Sequence, residues 1–146
     1  MAGPRSVRFE ASTEGHLADF VTRHPGLTHS SAAALLVEEG LRMDAHPGVL
    51  FREGPAGRRA VVAGGPDVWE AIRAVRLTRA SEPALDAAEL IDIVADLTGV
   101  SPRHLEIAIA YYSDYPVEID DQLAAADAAE HDAILAVERR RELLGR

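Results

Sequence analysis

The first 45 residues contain one alternating stretch, RSVRFEAS from Arg5 to Ser12, and no second segment that reads as its partner strand. Val7 and Phe9 fall on one side of it and Ser6, Arg8 and Glu10 on the other, the period-two pattern of a short half-buried strand. Two helical patterns follow. Ser12 or Thr13 is placed to cap the first, in which Leu17, Phe20 and Val21 recur at helical spacing. Pro25 and Gly26 end it, the proline by disfavouring a helical residue before it and the glycine by accepting left-handed angles. Thr28 or Ser30 caps the second, THSSAAALLVEEGLRM, with Leu35, Leu36 and Leu41 as its apolar face. A lone strand leaves its hydrogen bonds unmet, and two short helices bury too little apolar surface to stand alone. Pairing the strand with its twin in a homodimer meets both needs.

Charge divides the chain as well. Net charge is −1 over residues 1–43, +2 over 44–79 and −10 over 80–146. That distribution predicts two modules, 1–45 and 46–146, the second ending in an acidic helical tail over about 117–146. Every basic residue is an arginine. There are no cysteines, so disulfides and thiolate metal sites are excluded, and no apolar run suits a signal peptide or a membrane span. The expectation is a cytoplasmic protein.

The second module opens with VLFREGPAGRRAVVAGG. Val49 and Phe51 alternate before the turn at Gly54 to Gly57, and Ala60, Val61 and Val62 follow it, which predicts a β-hairpin carrying Arg52, Arg58 and Arg59. Pro66 suits the first position of the next helix and Asp67 its dipole, with Val68, Ile72 and Val75 as the buried stripe. Leu90, Ile93, Val94 and Leu97 mark another helix, broken at Gly99. Ser101 and Pro102 start the next, which ends before Pro116. Helix, glycine turn, helix has the shape of a DNA reader. Its second helix, HLEIAIAYY, carries no Arg, Lys, Asn or Gln after Arg103, and a helix apolar on nearly every side belongs in a core. In that helix Tyr112 falls on the buried stripe of Leu105 and Ala108/Ile109, Tyr111 lies on the adjacent face as either core or the edge of a partner surface, and Tyr115 sits at the end.

Catalytic chemistry is absent from the motifs. The six histidines, His16, His24, His29, His46, His104 and His131, lack ligand spacing, and no phosphate loop, dinucleotide fingerprint or nucleophile elbow occurs. Asp114, Glu118, Asp120 and Asp121 read as acids at a helix N-terminus rather than magnesium ligands. The expectation is no enzyme, no metal and no cofactor.

Two resemblances give these modules a meaning. SVRFE, the capped first helix, the Gly26 turn and SSAAALLVEEGLR resemble the ribbon-helix-helix family of DNA-binding proteins. That resemblance implies a dimeric ribbon in the major groove of operator DNA, with Ser6, Arg8 and Glu10 turned to the bases and Thr28, His29, Ser30 and Ser31 at a phosphate. HPGVLF, GRRAVVAGGPDVWEAIRAV and SPRHLEIAIAYYSDYPVEID resemble the antitoxin-associated family called domain of unknown function 433. It differs at GGPD, where that family commonly has a Gly-Thr-Arg-like segment. Together they imply a mainly α chain: a ribbon-helix-helix module, then a small hairpin and a helix-turn-helix-like helical domain with a long C-terminal helix. The implied function is an antitoxin that neutralises a PIN-like ribonuclease toxin and represses its own operon. Trp69, Tyr111, Tyr115, Ile134, Val137, Arg139, Arg140 and Arg141 are then the residues expected at the toxin. Packing of the tail on its own domain or on a dimer mate remains equally open, and the alternative function is a DNA-binding regulator without a toxin, its second module serving oligomerisation or effector binding.

Overall fold

The computed structural model describes residues 3–145, which divide at Ala45/His46 into two compact units. The first holds α1 (Ala11–Arg23) and α2 (His29–Ala45). The expected N-terminal strand is not there: residues 3–10 form neither helix nor strand, and the two strands of the described chain come after both helices. A strand is defined by its ladder, and this stretch has no second strand to pair with. The ribbon-helix-helix assignment is corrected accordingly. Val7, expected to face inward, is 70% exposed, while Phe9 is half-buried.

Capping of α1 also differs from expectation. Glu10, extended at φ −72° and ψ 158°, is the N-cap residue, and neither Ser12 nor Thr13 holds that position. At α2 the expected Thr28 does cap: its Oγ1 accepts from the Ser31 N–H at 3.1 Å, and its own N–H donates to Ser31 Oγ at 2.8 Å. Among the described residues of this unit only Leu17 and Ala32 are buried apolar side chains, and Leu41, expected on the inner face, is 62% exposed. Two clefts of 640 and 400 Å³ line its surface beside Phe9, Leu17, Phe20, Ala33 and Val37.

The second unit is better filled. Strands β1 (Val49–Arg52) and β2 (Arg59–Val62) pair antiparallel, Val49 opposite Val62 and Phe51 opposite Ala60, where the alternation predicts a hairpin. Its turn closes by reciprocal backbone bonds between Gly54 and Gly57, and Gly57 takes φ +100°, a left-handed angle that favours glycine. Four helices follow: α3 (Val68–Ser81), α4 (Ala87–Thr98), α5 (Pro102–Asp114) and α6 (Pro116–Leu144). Asp67 and Glu70 form a capping box at α3, so that helix starts two residues after Pro66. Asp86 and Glu89 do the same for α4, and Gly99 ends it at φ +73°. Ser101 Oγ accepts from the His104 N–H at 3.2 Å to open α5, with Pro102 in the first turn.

Helix α3 packs against β2, α4, α5 and α6. The core gathers Val49, Val62, Val68, Ile72, Leu90, Val94, Leu105, Tyr111, Ile119 and Leu123, so every element of this unit contributes at least one side chain. Leu97, expected in the α4 stripe, is exposed instead. No helix among the described residues is long and apolar enough to cross a membrane.

Candidate partner-binding site

Helix α6 is 29 residues long, and only its start belongs to the core. Ile119 and Leu123 are buried, whereas from Asp127 to Gly145 every residue except Leu135 is exposed. Two arginines of α3 tie α6 down. Arg76 Nη2 donates to Asp120 Oδ1 at 2.6 Å and to the Tyr112 hydroxyl at 2.5 Å, and Arg73 Nη2 donates to Glu130 Oε2 at 2.5 Å and lies 3.4 Å from Asp127 Oδ1. Hydrogen bonding to Glu130 raises the Arg73 pKa, and hydrogen bonding to Asp120 raises that of Arg76. The order of these ties, 76 with 120 and 73 with 127 and 130, runs α3 and α6 antiparallel. Glu130 is the last α6 residue tied to α3 among the described residues, and the 14 residues from there to Leu144 extend about 20 Å at 1.5 Å per residue.

That overhang presents two faces. Ile134 (52% exposed), Val137 (50%), Arg141 and Leu144 (60%) continue, at spacings of three and four, the face that Ile119 and Leu123 bury. Arg139 points to the opposite side, nine residues and half a rotation on from Glu130. Arg139, Arg140 and Arg141 are all exposed. At the root of the overhang lies a cleft of 350 Å³ lined by the hairpin turn (Ala56 to Arg59), Trp69, Asp121, Gln122, Ala125, Ala126 and Ala129.

The expected site residues thus separate. Trp69 is half-buried at the cleft, its indole N–H donating to Asp67 Oδ2 at 3.2 Å, and Asp67 also receives Arg59 Nε. Tyr111 has no surface to offer: it is fully buried, its hydroxyl donating to Glu118 Oε2 at 2.7 Å. Tyr112, expected on the buried stripe, is only half-buried, and it is the one that reaches Arg76. Tyr115 packs on Tyr111 with centroids 4.8 Å apart and faces His46 at 5.8 Å. In the first unit Ser6, Arg8, Glu10, Thr28, His29, Ser30 and Ser31 are all exposed, Arg8 in the segment before α1 and the last three in the first turn of α2. Buried His46, with Nε2 2.8 Å from Asp114 Oδ2, and the Arg73 and Arg76 ties were not anticipated. The sequence did carry a signal for the ties, since 73 and 76 are three apart on one helix and 120, 127 and 130 share one face of another. Among the described residues no group of three or more histidines or acids is placed to hold a metal ion.

Glycine at 54 supports the cleft wall. A Cβ built there would lie 1.7 Å from Arg59 Nη1, so Gly54→Ala must move a guanidinium that is also tied to Asp67. The atom met is the end of a flexible side chain, so the expected result is a small loss of about 0.5 kcal/mol in urea unfolding. A much larger loss would show that the guanidinium cannot relocate.

No family model, curated protein or solved structure matches this chain.

Proposed function

We propose that this chain is a cytoplasmic antitoxin of a type II toxin–antitoxin pair, a protein without catalytic activity of its own that neutralises a PIN-like ribonuclease and represses its own operon. The observation that carries this reading is the overhang of α6, an ordered helix that leaves its domain with three consecutive exposed arginines. A nuclease that holds its metal with carboxylates offers an acidic pocket, and guanidinium groups match carboxylates in charge and bidentate geometry. The acidic character of residues 80–146 repels RNA from the blocked site. The first unit supplies the second half of the function. Its thin core and the clefts beside Phe9, Leu17 and Val37 favour association with a second copy, and Arg5 and Arg8 stand exposed on the arm before α1.

Expression together with the neighbouring reading frame tests the proposal. Co-purification of a small ribonuclease in inhibited form is the expected outcome. A neighbouring frame with no nuclease removes the toxin and leaves a DNA-binding regulator. For the operator, Arg8→Ala is expected to weaken binding of the dimer by about 1–3 kcal/mol in a fluorescence anisotropy titration. Equal affinity of variant and parent would take Arg8 out of the DNA contact.

A further inference from the structure

The stripe on the overhang is self-complementary. Reading along it, Asp127 and Glu130 stand at the domain end, Ile134 and Val137 in the middle, and Arg140, Arg141 and Leu144 at the far end. Arg73 offsets one of the two acids, which leaves the domain end with a net charge of −1. Two such helices laid parallel would bring acid against acid and guanidinium against guanidinium. Laid antiparallel about a two-fold axis midway between Ile134 and Val137, each Ile134 meets the other copy's Val137, and each Glu130 meets the other copy's Arg141.

We propose that the C-terminal overhangs of two copies of this chain pair as an antiparallel two-helix coil, sealed at each end by Glu130 of one copy with Arg141 of the other. The pairing goes beyond the nuclease reading and does not rest on it. Arg139, on the face opposite the stripe, remains outward in the pair. Self-pairing of identical stripes uses one patch twice, so a single unpartnered apolar face is covered without any further surface on the molecule.

The absence of cysteine gives a background-free test. Full-length Ile134→Cys and Val137→Cys chains are mixed in equal amounts at micromolar concentration and oxidised mildly with copper phenanthroline. The expected product is the mixed 134–137 disulfide, in excess over either homodisulfide, with Arg139→Cys chains, whose cysteine lies on the outer face, staying largely unlinked. Adding Arg141→Glu to both chains sets like charges opposite each other and is expected to slow mixed linkage roughly tenfold. A dominant 134–134 product would mean parallel helices, and cysteines that stay reduced would mean that another protein or nothing covers the stripe. Either result, or linkage indifferent to Arg141→Glu, overturns the proposal.

Discussion

Tyr111→Ala is expected to destabilise the second unit by about 3–5 kcal/mol, the range for removing a large aromatic ring from a well-packed core. The ring is fully buried. It meets Phe51 edge-on at 6.3 Å, His46 edge-on at 5.3 Å and Tyr115 at 4.8 Å, so the cavity left by alanine would be walled by three other rings that cannot all collapse into it. Its hydroxyl joins α5 to the first turn of α6 through Glu118. Tyr111→Phe keeps the volume and removes that bond alone, at an expected cost of about 0.5–1.5 kcal/mol. Urea unfolding of the two variants separates the ring from the hydroxyl. A loss below about 1 kcal/mol for alanine would mean that the aromatic cluster repacks.

The pair Tyr111 and Tyr112 shows where sequence patterns stop. From Leu105 a helical stripe continues by threes through Ala108 to Tyr111 or by four and three through Ile109 to Tyr112, and both paths satisfy the periodicity. The tertiary partners decide between them: Glu118 and the ring cluster take Tyr111 inward, and Arg76 takes the Tyr112 hydroxyl at the surface. Signals that act within a few residues were legible. Ser101 with Pro102, Gly99, the hairpin turn at Gly54 to Gly57 and the Thr28 cap each depend on local angles or on a bond to the next turn. The N-terminal stretch failed because alternation records which faces differ in polarity and does not supply a second strand. Leu97 failed because helical spacing places it on the inner stripe at the last turn of α4, where the neighbouring elements no longer cover it. At the site, the arginine run and the apolar positions of the tail could be read directly. The point where α6 leaves its domain could not, because it depends on α3 running antiparallel to α6.

Under the antitoxin function proposed above, truncation after Ala129 is expected to abolish nuclease inhibition while leaving the fold in place. Ile119 and Leu123, the α6 side chains in the core, remain, as do the Arg76 tie to Asp120 and the Arg73 approach to Asp127. What is lost from the domain is the exposed Arg73 bond to Glu130, and exposed ion pairs contribute at most about 1 kcal/mol. The thermal midpoint therefore stays within a few degrees of the full chain, whereas ribonuclease turnover in the presence of the truncated protein rises to that of the toxin alone. Undiminished inhibition with the same midpoint would show that the overhang is not the inhibitory element. The truncation also removes the stripe that pairs two copies, so a charge change on the outer face is needed beside it. Arg139→Glu lies half a rotation from Ile134 and Val137 and leaves the stripe intact. If the guanidiniums act on the nuclease, it weakens inhibition while the 134–137 linkage proceeds unchanged. If the overhang serves only to join two copies, neither inhibition nor linkage responds to it.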